Sequence, residues 1–126
     1  MRCLILSLSL LTAPLAWADN CENPRNAYDA VHCEQKIYNK ADAELNKVYK
    51  KLVAKLDADG KDTLRSAQRG WIKERDGECT KHSTDVGPVI MTNCMTEKTI
   101  SRTNFLADRL RECETVGCIN ARLLPE

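Results

Sequence analysis

The chain has 126 residues, 43% of them hydrophobic and 29% charged, with 19 Lys and Arg against 18 Asp and Glu, and it carries seven cysteines. That size and balance allow one small domain and exclude collagen-like, low-complexity and multi-span membrane proteins. Near-neutral charge also speaks against a nucleic-acid partner, which normally demands a basic excess.

Residues 1–18 read as an export signal. Arg2 supplies a short positive start, Leu4 to Leu15 an apolar stretch, and Ala16-Trp17-Ala18 small residues at the cleavage positions, with the cut expected before Asp19. A membrane anchor needs about 20 predominantly apolar residues. Here Ser7, Ser9, Thr12 and Pro14 interrupt the stretch and Asp19-Asn20 ends it. Cys21 follows those two polar residues rather than small apolar ones, so no lipid attachment or other stable membrane anchor is expected. Cleavage leaves residues 19–126 as a single helical domain with six cysteines and 18 basic against 18 acidic residues. An even cysteine count in a periplasmic or secreted chain predicts three disulfides. The six stand at 21, 33, 79, 94, 113 and 118, without Cys-x-x-Cys or His-x3-His, so neither a metal, a redox motif nor any cofactor is expected.

In chain order, Asn23-Pro24 can open a short first turn as N-cap and first helical residue. The first long helix is clearest from Ile37 to Leu56 and starts near Asp29. Ile37, Ala41, Leu45, Val48, Leu52 and Leu56 recur every three or four residues, with Lys40, Glu44, Lys47, Lys51 and Lys55 on another face. Asp57-Ala58-Asp59-Gly60 reads as the stop, with Gly60 suited to the left-handed conformation. A second helix follows from an Asp62 N-cap, with Leu64, Ala67, Trp71, Ile72 and Arg75 on one stripe up to Cys79. Gly70 and Gly77 inside it each cost about 1 kcal/mol against Ala, which signals either close approach of a neighbouring backbone or simple tolerance.

Thr80 to Pro88 reads as a polar loop, with Pro88 placed to open a third helix carrying Met91, Met95, Thr99, Arg102, Phe105, Leu106, Arg109 and Leu110. Arg111 to Glu126 reads as a stapled turn and short tail, and no alternation is long enough to build a sheet. The expected fold is therefore all-α: a small disulfide-stapled three-helix up-down-up bundle with an extra N-terminal turn and a cysteine-closed C-terminal turn. In that topology Cys21, Cys33, Cys79 and Cys94 share one pole, while Cys113 and Cys118 follow the third helix at the other, near Gly60. Because bridged Cα atoms lie within about 7 Å, Cys113 pairs with Cys118. The other four can pair in three ways, of which Cys21–Cys33 with Cys79–Cys94 closes the shortest loops and is preferred. With so few large apolar residues on the stripes, bridges contributing ~2 to 4 kcal/mol each carry much of the stability.

Catalytic chemistry is sparse. His82, Ser83 and Asp85 include the residue types of a hydrolase triad, but neighbours in a short loop rarely aim at one another. Glu74 and Glu78 share a helix face, yet beside Lys73 and Arg75 they read as a solvated side rather than a carboxylate pair for sugar hydrolysis. The ridge Lys47, Lys50, Lys51 and Lys55 reads as a solvated face, and no catalytic residue is assigned. Asp42, Asn46, Gln68, Arg75 and Arg102 recur beside Leu45, Trp71 and Leu106, which predicts a hydrogen-bonded network fixing helix register.

Three runs carry a family resemblance: Ala41-Asp42-Ala43-Glu44-Leu45-Asn46-Lys47-Val48-Tyr49, Leu64 through Cys79 with its Leu-Arg-x-Ala-Gln-x-x-Trp-Ile-x-x-Arg-Asp-x-x-Cys pattern, and Met91 to Cys94 continuing through Thr99 and Arg102 to Leu106. Together they resemble the LprI N-terminal-like lysozyme inhibitors over roughly Cys21 to Leu110, with Arg111 to Glu126 outside the pattern. The resemblance implies an exported, disulfide-linked helical bundle whose protein partner is lysozyme or another peptidoglycan hydrolase. The expected contact is the loop Thr80 to Asn93, with Lys81, His82, Ser83 and Asp85 as partner-binding residues. Rival readings on the same fold are an immunity protein against a secreted cell-wall-targeting toxin and a non-inhibitory envelope-stress binding module.

Overall fold

The computed structural model describes Cys21 and residues 23–124. The expected export signal lies outside the described residues. Among the described residues there are three long helices, α1 (Ala27–Lys55), α2 (Ala58–Glu78) and α3 (Thr92–Thr115), one antiparallel hairpin of β1 (Thr80–Ser83) and β2 (Gly87–Ile90), and a 3-10 turn at Asn120–Leu123. None of these helices is long and apolar enough to cross a membrane. The disulfides are Cys21–Cys33, Cys79–Cys94 and Cys113–Cys118, which is the preferred pairing.

α1 starts earlier than its apolar periodicity suggests. Asn26, not Asn23, caps it, its side-chain oxygen accepting the Asp29 N–H at 2.9 Å, and Arg25 pairs with Asp29 across that first turn. No separate turn forms at Asn23-Pro24; the Cys21–Cys33 bridge instead ties the chain before the cap to the helix's second turn. At 29 residues, α1 is about 44 Å long.

The α1–α2 corner corrects a second expectation. Gly60 is not a left-handed helix stop: it lies inside α2, and the N-cap is Asp57 rather than Asp62, with the Gly60 N–H donating to Asp57 Oδ1 at 2.7 Å. The reason a glycine stands there is space. A Cβ on Gly60 would meet Asn120 Oδ1 at 2.5 Å, and Asn120 Nδ2 donates to the same Asp57 oxygen at 3.0 Å. Both donors hold the Asp57 carboxyl below the ordinary aspartate range, the Gly60 N–H more than Asn120. Gly70 and Gly77, by contrast, have open space around them, so nothing approaches closely at either.

The core is built from Leu45, Val48, Leu52 and Leu56 of α1, Leu64 of α2, Leu106 of α3 and Leu123 of the 3-10 turn, with Tyr49, Trp71, Phe105 and Leu110 packed around it. α1 and α3 lie side by side. Glu34 and Ile37 of α1 flank Asn93 and Thr96 of α3 at one end, and Lys55 O lies 3.5 Å from Cys118 Sγ at the other. α3 begins at Thr92, not at Pro88, and runs on to Thr115, so Cys113 lies within the helix rather than after it. Beyond it Gly117 takes a positive φ of 105°, turning the chain back so that Leu123 reaches the core at 1% exposure. Arg122 pairs with Glu112 on the way. The C-terminal segment is therefore a plug, more than the stapled turn and tail its composition suggests.

Candidate functional site

Lys81, His82, Ser83 and Asp85 all sit on the hairpin that replaces the expected loop. Thr80 pairs with Ile90, Lys81 with Val89, His82 with Pro88 and Ser83 with Gly87. Pro88 lacks an N–H, which a two-stranded ribbon tolerates because each strand is an edge. Gly87 takes φ +78° at the return, a conformation that favours glycine. At the tip the Asp85 N–H donates to Ser83 Oγ at 3.3 Å and Thr84 Oγ1 donates to Asp85 Oδ1 at 3.4 Å.

The hairpin is anchored at its base and free above it. Cys79 is fully buried and bonded to Cys94. The Met91 N–H donates to Cys79 O at 2.9 Å, and Thr80 Oγ1 donates to Asp76 O at 2.7 Å. Of the helices, the hairpin approaches only the end of α2. Lys81, His82, Asp85, Val86, Val89 and Ile90 are exposed. Successive strand residues point to opposite faces, so the side chains of neighbouring His82 and Ser83 diverge, and the Ser83 oxygen is engaged by Asp85 rather than by an imidazole. The hairpin thus exposes Lys81, His82 and Asp85 together with the apolar Val86, Val89 and Ile90.

The five inner-stripe residues divide into two groups. Gln68, Arg75 and Arg102 gather between α2 and α3 around Trp71. Arg102 Nε donates to Gln68 Oε1 at 3.0 Å. Arg75 donates through Nε and Nη2 to Asp76 Oδ1 at 2.9 and 2.8 Å, and through Nη1 to the buried Thr99 hydroxyl at 3.4 Å. The two guanidinium carbons lie 4.9 and 5.8 Å from the Trp71 ring centre, and Arg102 and Arg109 lie 4.9 and 5.5 Å from that of Phe105. Each such contact contributes ~0.5 to 2 kcal/mol. Arg102 is 3% exposed, and burial pulls its pKa below the usual guanidinium value. Asp42 and Asn46 stand apart: Asn46 Nδ2 donates to Asp42 O at 2.9 Å and to Asp42 Oδ2 at 3.0 Å, within α1 and near solvent. Sequence reasoning overlooked the aromatic rings as the partners of these arginines, although the spacing Arg102, Phe105, Arg109 carried the signal.

At the same pole as the hairpin, a groove of about 160 Å³ lies between α1 and α3, lined by Glu34, Ile37, Asn93, Thr96 and Glu97. Of these the sequence places Asn93 at the end of the expected contact loop and Ile37 on the core stripe, and it singles out none of the others. Ile37 is instead 52% exposed. Lys98 pairs with Glu78 near the hairpin base, and that contact holds the Glu78 carboxyl below its ordinary range. Among the described residues, no three His, Cys, Asp or Glu side chains gather as a metal site.

Comparison with known proteins matches this sequence to one family. An uncharacterized protein of Rhizobium meliloti (strain 1021) is 30% identical over 138 aligned positions, covering 90% of this chain and 99% of its own length. No solved structure matches the chain. The family described as "Lysozyme inhibitor LprI" matches residues 19–106, from the segment before Cys21 through α1, α2, the hairpin and α3 as far as Leu106. The chain belongs to the lysozyme inhibitor LprI family.

Proposed function

We propose that this protein is an exported inhibitor which blocks lysozyme, or another peptidoglycan-degrading enzyme, by docking the stapled hairpin against the enzyme's cleft. Family membership carries the choice of target class. The hairpin supplies the physical means. Four-residue strands make a prong about 13 Å long, its base is fixed by Cys79–Cys94, and Lys81 and His82 are exposed on its two opposite faces. A glycosidase cleft holds two carboxylates, to which a cation or hydrogen-bond donor is complementary. A prong that is ordered before binding loses less entropy on docking than a free loop.

On this reading residues 1–18 direct export and are removed, residues 19–126 act in the periplasm or outside the cell, and the protein is not itself an enzyme. The family match beginning at residue 19, the first residue after the expected cut, supports that division. The test is lysis of a peptidoglycan substrate by lysozymes of several types, with and without residues 19–126. We expect inhibition of at least one type, weakened about tenfold by Lys81→Glu, equivalent to about 1.4 kcal/mol of binding energy. Absence of inhibition for every type at large molar excess overturns the proposal.

A further inference from the structure

We infer that the groove between α1 and α3 is a second contact site, which receives a lysine or arginine side chain of the partner protein. The inference rests on the reading above that a protein docks at this pole. The apolar stripe of α1 is longer than the core that covers it. Leu45, Val48, Leu52 and Leu56 are buried, whereas Ile37, two turns earlier on the same stripe, remains half in solvent. Beside it runs the groove, whose surface is mainly apolar. Thr96 Oγ1 donates back to Thr92 O at 3.0 Å, which leaves the methyl group as the part available to an occupant.

Charge selects the occupant. Glu34 from α1 and Glu97 from α3 border the groove, and neither has an ion pair or hydrogen bond among the described residues. Asp29, Glu44, Glu78, Asp108 and Glu112 all have basic partners. An anion would be repelled by the two carboxylates. A wholly apolar group would desolvate them without compensation. A lysine or arginine meets both demands, laying its aliphatic stem along Ile37 and Thr96 and placing its charged head between the carboxylates. The groove adjoins the hairpin through α3 itself, because Asn93 and Thr96 flank Cys94, which is bonded to Cys79 at the hairpin base. A partner that grips the prong and extends across the start of α3 meets the groove as well.

The first measurement is the affinity of residues 19–126 for a lysozyme they inhibit, comparing wild type, the double variant Glu34→Gln with Glu97→Gln, and the control Glu114→Gln on the opposite pole. We expect the double variant to bind about tenfold more weakly at low salt, with the difference shrinking at high salt as screening grows and the control unchanged. Inhibition by the wild type with no change in the double variant overturns the groove and leaves the inhibitor reading intact. If no lysozyme is inhibited, the inhibitor reading fails and a second measurement decides the groove. The isotope-labelled protein is titrated with acetyl-Ala-Arg-Ala-amide and, separately, with acetyl-Ala-Glu-Ala-amide at millimolar concentration. Amide shifts at Ile37, Thr96 and Glu97 with the arginine peptide alone, lost in the double variant, support the site. No shifts there overturn it, and so do shifts that depend on protein concentration without peptide, since they identify a second copy of the chain as the occupant.

Discussion

The two poles of the bundle are held together by different forces. At the pole where α1 hands over to α2, leucines from all three helices and from the C-terminal 3-10 turn close on one another, and Leu52, Leu64 and Leu106 are fully buried. At the hairpin pole, Tyr28, Val31 and Ile37 of α1 and Val86, Val89 and Ile90 of the hairpin stay exposed, and two of the three disulfides tie the chain instead. Apolar burial stabilises only by removing apolar surface from water. A covalent bridge works chiefly by restricting the unfolded chain and consumes no surface. The division lets one end be stable while the other keeps apolar side chains available to a partner.

The sharpest way to break this contrast is in the leucines. Leu52→Ala or Leu106→Ala should cost about 2 to 5 kcal/mol, whereas Ile37→Ala should stay within about 0.5 kcal/mol, both read from urea unfolding. Equal losses would mean that the hairpin pole is packed after all. Next in size, removing Cys79–Cys94 by a pair of alanines should cost about 3 kcal/mol for a loop of this separation. Hairpin amides should then exchange with solvent faster while those of Leu52 and Leu106 keep their protection. Uniform loss of protection would show one cooperative unit with no division between poles.

Smaller effects test the leucine pole's corner. Gly60→Ala should destabilise the wild type, because the new methyl displaces Asn120. In an Asn120→Ala background the same change should cost less, because only the 3.0 Å approach of the new methyl to Asp57 Oδ1 then remains to offset the helix preference of Ala over Gly. Additive behaviour of the two substitutions would refute the contact. The weakest expected effect is with pH. Asp57 has a lowered pKa in the folded protein, so its contribution is present above the ordinary aspartate range and fades as the pH falls through the folded value. Asp57→Asn should flatten that acid limb of the stability curve and lower the plateau near neutrality by the contribution lost, leaving the slope there unchanged.

Cys113–Cys118 was legible because helix periodicity locates the end of α3 well enough for a Cα limit to act, whereas the other two bridges were chosen among three pairings as those closing the shortest loops, which is how they form. The hairpin was not legible. Two strands of four residues, one of them containing Pro88, are too short to show an alternation. Gly60 misled for a related reason. A glycine after an Asp-rich run has the same local signature whether it ends one helix or makes room inside the next, and only the arrival of Asn120 from 60 residues later in the chain distinguishes the two. Lys81, His82, Ser83 and Asp85 were visible as polar residues between elements. The groove was not, since Glu34 and Glu97 are ordinary surface carboxylates until α1 and α3 are laid side by side.

The C-terminal plug separates what is recognisable from what folds. The family match stops at Leu106, yet Leu123 fills the same core as Leu56 and Leu64, and Asn120 helps hold the cap of α2. A fragment cut at the edge of the similarity would keep every residue of the hairpin and the groove but open a hole beneath α2, at the end of the molecule farthest from the hairpin. Relatives that lack such a tail must close that hole with other side chains. Substitutions at the positions of Leu56, Gly60 and Leu64 are therefore where the branches of this family should differ most, even if they all grip the same partner.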